Sequence, residues 1–206
     1  FATPEAIEQV RHTMGLDKPV VLQYFNWLGN MLKGDFGTSY FQRLPVIQML
    51  WKSFKVTARI AIFAYLLAVA IGLSFGILAA VFHNKWVDKL LMTLSITGIS
   101  ATNFWIAIIL QIYFALKLKW FPLSGQESWK CMVLPAIALG TRYAASIARI
   151  TRTSMLEVTK QDYIRTAEAK GLGSWAVIMG HAFRNALIPV VTVAGTDLGN
   201  ILTGSM

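Results

Sequence analysis

Two runs of the chain carry no charged residue: Ile60 to Phe82 and Leu90 to Leu116, 23 and 27 residues long. Each exceeds the ~20 residues that a helix needs to cross a ~30 Å hydrocarbon core. Inside lipid, every backbone N–H and C=O must find a partner within the protein, which leaves only helices or a closed barrel. No segment alternates with the period of a strand, so the expected fold is all-α, a polytopic transmembrane helical bundle. Composition supports this, at 55% hydrophobic and 14% charged with a mean hydropathy of +0.53. The competing reading is a pair of core helices in a large soluble protein. Soluble helices rarely run this long without caps or charges.

Several function classes fall away on residue types. The single Cys131 gives no internal disulfide and no cysteine metal site. His12, His83 and His181 lie far apart without ligand spacing, so no metal is expected. The net charge of +9 raises the question of nucleic acid. The basic residues, however, mainly flank the apolar runs, where membrane topology accounts for them. No catalytic residue is assigned. His-Glu-x-x-His and a paired intramembrane Asp are absent from the sequence, so a membrane-embedded enzyme has little chemistry to work with.

Residues 1–55 are mixed and partly polar. Thr3 is a possible N-cap, Pro4 the first helical position and Gly15 a stop, which predicts two short helices with a turn near Gly15–Pro19. Gly34 to Ser39 reads as a loop, and Trp51 and Phe54 as interfacial aromatics before a first span over 56–82. A second span is expected over 90–116 and a third over 133–155. A fourth apolar run begins near Ala186. Small and hydroxylated residues from Thr93 to Thr102 predict a face of the second span that packs on helices or lines a polar path.

Orientation follows from Lys and Arg. Arg149, Arg152, Lys160, Arg165, Lys170 and Arg184 concentrate in one segment, which the positive-inside rule puts in the cytoplasm. Residues 1–55 are then an external segment, and 56–206 a transmembrane domain with a cytoplasmic loop over 156–185. Within that loop, Asp162 suits the N-cap of a helix over 163–170 and Gly171 its stop. Ser174 suits the cap of a second helix. A helix–glycine–helix unit at the surface can rest on headgroups or enter a groove on another protein.

"YIRTAEAKGLGSWAVIMGHAFRNALIPVVT" (Tyr163 to Thr192) resembles the EAA loop of ABC-importer permeases, in the B-type branch of dipeptide, oligopeptide and nickel importers. Gly171 stands at the motif glycine and Ala167 at the second alanine. Arg165 replaces the glutamate, Thr166 replaces the first alanine, and the distance from Gly171 to Pro189 is longer than in the general pattern. These departures are typical of that branch. "GLDKPVVLQYFNWL" (Gly15 to Leu28), "GDFGTS", "FPLSG" (Phe121 to Gly125), "LPAIALG" (Leu134 to Gly140) and "ARITRTSMLEV" (Ala148 to Val158) resemble the same branch in the expected order.

The resemblance implies alternating access driven by a cytoplasmic ATPase, with Ala167, Glu168, Ala169, Lys170, Gly171 and Leu172 as the coupling residues. It implies six spans, four of them visible, with the first and last beyond Phe1 and Met206. Implied partners are a second permease subunit, two ATPase subunits, an external substrate-binding protein and the lipid bilayer, in a bacterial or archaeal inner membrane. ATP and Mg²⁺ belong to the ATPase; the chain has no Walker A sequence and no cofactor of its own. Peptides are the expected cargo, since no His/Cys/Met cluster marks a nickel path; nickel and glutathione are the alternatives. An ion channel or secondary carrier has no need of such a docking loop.

Two charges lie inside spans, Arg142 and Asp197, and such residues usually face a cavity or each other. At ~1.5 Å per residue, Arg142 falls roughly 10–12 Å below the outer surface if its helix starts near Pro135, and Asp197 roughly 16 Å above the inner one if its helix starts near Ala186. These depths nearly coincide, so the two either pair or line the translocation path. The alternative is that Arg142 snorkels and Asp197 caps a break near Gly195 or Gly199. Asn103 is a weaker path candidate, an amide that needs a partner on another helix.

Overall fold

The computed structural model describes residues 8, 11, 16–39, 41–123, 125 and 128–204. Among these there is no strand, only an isolated bridge between Thr38 and Pro45. The chain divides into two compact units, 1–55 and 56–206.

In the first unit, α1 runs Val20–Leu32, with Pro19 setting its start. Gly34 and Gly37 then take positive φ, and the Gly37 N–H donates to Asp35 Oδ1 at 2.9 Å. These bonds build the Gly34–Ser39 loop. Of the helix expected to start at Thr3 and Pro4 and stop at Gly15, only Glu8 and Arg11 are described, both helical, and its ends lie outside the described residues.

Helix α2 is Val46–Val81, and the unit boundary falls inside it. It therefore starts well before the expected span at 56. Trp51 and Phe54 are exposed residues within it, not ahead of it. Hydropathy marked where the apolar stretch begins, but Lys52, Lys55 and Arg59 are compatible with helix and do not end one.

The second unit continues with α3 (Trp86–Ser100), α4 (Asn103–Leu110, prolonged by a π-helical segment Gln111–Lys117), α5 (Lys130–Val158), α6 (Asp162–Ala169), α7 (Ser174–Ala176, prolonged by a π-helical segment Val177–Ala182) and α8 (Phe183–Gly204). Three helical runs are long and apolar enough to cross a membrane: Val46–Val81, Lys130–Val158 and Ser174–Thr203. The pair Trp86–Ser100 and Asn103–Lys117 makes a fourth if it is one span, but it bends by 104°. The second span is thus not the single rod expected over 90–116. Ala101 and Thr102 take extended ψ of 135° and 138°. Before them, the Ser95 hydroxyl donates to the Leu91 carbonyl and that of Thr97 to the Thr93 carbonyl, both at 2.9 Å. Such back-bonding weakens and bends helices, so the hydroxylated run also marks the break.

Helix α5 is the central element. One face of α2, made of Ala61, Ala64, Ala68, Gly72, Gly76 and Ala79, is buried. Its glycines lie against Ile147 and Thr151 of α5. Helix α3 buries Leu91, Ser95 and Gly98, and Gly98 lies against Thr141 and Ala145 of α5. Only small residues let helix backbones approach this closely in lipid, where no hydrophobic force drives helices together.

Candidate functional site

Helix α6 ends in a Schellman motif. Lys170 is the cap and Gly171 follows at φ +77°. The Leu172 N–H donates to the Ala167 carbonyl at 3.4 Å, and the Gly171 N–H to that of Glu168 at 2.9 Å. A left-handed residue is required here, which is why glycine serves. The caps differ from expectation by one residue. Gln161, not Asp162, precedes α6, and Gly173, not Ser174, precedes α7, with no side-chain cap bond at either. Extended ψ at Gln161 (148°) and Gly173 (145°) ends the preceding turns, so Asp162 and Ser174 become the first helical residues.

The underside of this unit is pinned. Ile164 and Ala167 of α6 are buried with Met155 of α5, Val177 and Ala182 of the π segment, and Ala186 of α8. The Asn185 amide also donates to the Tyr163 hydroxyl at 2.9 Å. Ala167 is therefore an inward anchor and not a surface a partner can touch. Glu168, Ala169, Lys170, Gly171 and Leu172 are exposed at the break. Leu172 is 42% exposed, and Trp175 beside the break 69%. Trp175 was not among the sequence candidates; a large aromatic right after a glycine break is the signal that marks it.

A second cluster joins the polar turn after α2 to α5. Asp88, only 3% exposed, accepts from Arg152 Nε at 2.6 Å and Nη2 at 2.7 Å, and from the Asn84 N–H at 3.0 Å. His83 Nδ1 lies 3.3 Å from the same carboxylate and 3.1 Å from Arg152 Nη2. A bidentate guanidinium–carboxylate pair fixes both distance and orientation. Asp88 sits in the first turn of α3, where a negative charge also suits the helix dipole. The sequence reading missed this clasp because its members lie 64 residues apart.

The third feature is a polar cavity of about 310 Å³, lined by Ile99, Arg142, Tyr143, Ser146, Arg149, Asp197 and Asn200. Arg142 and Asp197 thus share one cavity, although no ion pair within 4.0 Å joins them among the described residues. Their helices begin at Lys130 and, counting the π segment, at Ser174, earlier than the Pro135 and Ala186 assumed from hydropathy. Asp197 is 9% exposed and its Oδ2 has no hydrogen-bond partner. Asn103 is not part of the lining. It opens α4 just after the bend, and its Oδ1 is also buried without a partner. Ser146, Arg149 and Asn200 were missed. They follow Arg142 at i+4 and i+7 and Asp197 at i+3, the spacing of one helix face. Among the described residues, no three His, Cys, Asp or Glu gather as they would around a metal.

Comparison with known proteins fits this arrangement. Residues 72–206 match the family described as binding-protein-dependent transport system inner membrane component, and residues 1–61 match the N-terminal region of such membrane components. The chain belongs to this family. It is similar to the glutathione transport system permease protein GsiC of Salmonella typhimurium strain LT2, with 41% identity over 210 residues that cover 100% of this chain and 69% of that protein. The permease of the same name from Escherichia coli strain K12 is similar to the same extent. The chain is therefore an inner-membrane permease of the peptide/nickel type of ABC importer. It is a transport subunit, and in such systems a partner ATPase hydrolyses the ATP.

Proposed function

We propose that this permease forms half of the translocation path for short peptides, glutathione among them, and takes its driving motion at the α6–α7 break. The 1–55 segment lies outside and the 156–185 loop in the cytoplasm, as the Lys and Arg distribution suggests. A second permease subunit, two ATPase subunits and an external binding protein complete the importer. ATP and Mg²⁺ stay on the ATPase, and this chain holds no cofactor. Glu168, Ala169, Lys170, Gly171 and Leu172 meet the ATPase, with Ala167 holding them in place from below. Arg142, Asp197 and Asn103 serve the path.

One observation carries the coupling role: an exposed glycine break, locked by a Schellman motif, sits on a hydrophobic cluster shared with α5 and α8. A push on the tip is passed to two spans because packed interiors transmit strain. The cargo reading is supported by the two relatives named for glutathione transport, itself a peptide. The test is ATP-dependent uptake by the assembled importer in proteoliposomes. Glutathione or a di- or tripeptide should accumulate and Ni²⁺ should not. Accumulation of Ni²⁺ alone would overturn the cargo assignment.

A further inference from the structure

The cavity between α5 and α8 has an unbalanced charge. Arg142, Ser146 and Arg149 recur at i, i+4 and i+7 on α5, with Tyr143 beside them. Asp197 and Asn200 face them from α8. Arg142 and Arg149 are exposed, and neither has an ion-pair partner within 4.0 Å among the described residues. Opposite them stands one carboxylate, nine-tenths buried, with an oxygen that meets no donor. A buried carboxylate without a partner is costly, and two guanidinium groups at one wall want anions.

Resting on the reading of this chain as a peptide permease, we infer that this cavity is a selective waypoint for short peptides carrying one ammonium and two carboxylates. The solute's ammonium meets Asp197 Oδ2. Its carboxylates meet Arg142 and Arg149, and Asn200, Ser146 and the Tyr143 hydroxyl serve the peptide groups between. Seven residues separate the two arginines, about 10 Å of helix rise. An extended chain covers about 3.3–3.6 Å per residue, so a tripeptide spans a similar length. The volume of about 310 Å³ lies at the lower end of the ~300–1,000 Å³ of small-molecule sites. Two cations against one anion favour a solute of net charge −1 over a neutral zwitterion. The 104° bend lies immediately beyond Ile99, so the wall of the cavity abuts the break of the second span.

The experiment uses the complete importer, with its ATPase, second permease and binding protein, in proteoliposomes. Uptake is compared for glutathione (one ammonium, two carboxylates), trialanine (one of each) and N-acetylglutathione (no ammonium). The binding protein is the same in every preparation, so a change in the ratio between solutes between variants comes from the permease. Arg149→Gln should lower the glutathione-to-trialanine ratio about tenfold, the loss of one charge-assisted bond, and Arg149→Lys should restore much of it. Asp197→Asn should slow glutathione and trialanine together and spare N-acetylglutathione. Unchanged ratios in Arg149→Gln overturn the cradle while wild-type uptake leaves the permease reading standing. Loss of partner subunits in these variants also overturns it, by making the cavity a subunit contact. Failure of the wild type to move any peptide removes both readings.

Discussion

Arg152→Ala should lower the stability of the purified permease by about 3–5 kcal/mol, the cost of leaving one partner of a buried ion pair alone. Asp88 is 3% exposed and cannot turn to water, so its carboxylate keeps only the Asn84 N–H and the His83 ring. The reverse change is milder. In Asp88→Asn the arginine, whose side chain is 23% exposed, can swing towards the surface along its own stem. Asn84 takes φ +62° in this turn, so the Asp88 bond to its N–H also holds a strained backbone. Apparent melting temperature, followed by tryptophan fluorescence in detergent at one fixed scan rate, should fall on the order of 10 °C in Arg152→Ala and by much less in Asp88→Asn. Equal shifts in the two variants would mean that burial of Asp88 is not what the clasp protects.

Gly76→Ala should destabilise the chain by about 1–3 kcal/mol through overpacking. Helix propensity alone argues the opposite, since alanine is about 1 kcal/mol better than glycine within a helix. Packing decides the sign. A Cβ at Gly76 would lie 2.7 Å from the Ala148 carbonyl oxygen and run into the Thr151 side chain. Neither yields cheaply: one is backbone, and the other is a β-branched residue whose rotamer in a helix is restricted. Gly72 faces Ile147 and the Ala144 carbonyl in the same way, at 2.7 and 2.8 Å. Gly195→Ala is the control, because nothing lies within 4 Å of its Cβ position. That change should stabilise by up to about 1 kcal/mol. The same fluorescence melt applied to both variants checks the opposite signs. A stabilised Gly76→Ala would mean that α2 and α5 do not approach as closely as described.

Local chemistry in the sequence reaches some of these features and not others. Charge-free runs point to membrane-crossing segments because a charge facing lipid is costly, and Gly171 reveals the end of α6 because few other residues take φ +77°. Caps are harder: Asp162 and Gln161 are both compatible with a helix start, and the backbone at Gln161 decides between them. The bend after Ser100 hides in a run that reads equally well as a packing face, since serine and threonine both pack closely and bond back to carbonyls. Arg142 and Asp197 stand out as charges in apolar surroundings. Arg149 does not, because at the end of a span it looks like a topology signal. Ala167 carries the motif alanine, yet its place on α6 turns it inward, onto Met155 and Val177. Motif position and surface position are different properties, and only the helix face separates them. The Asp88–Arg152 clasp depends on the start of α3 meeting α5, 64 residues along the chain, for which local periodicity holds no information.

On the proposed function, ATP-driven motion enters through the exposed tip after α6. Leu172→Asp tests it most directly, because Leu172 is 42% exposed and lies outside the hydrophobic cluster that anchors the loop. Surface changes of this kind usually shift stability by no more than about 0.5 kcal/mol, so the melt of the permease should hold. The measurement is the amount of ATPase subunit that co-purifies with the variant permease, read beside ATP-dependent uptake in proteoliposomes. Both should fall at least tenfold in Leu172→Asp while the melting temperature stays. Full ATPase retention together with wild-type uptake would mean that the motion does not enter at this tip.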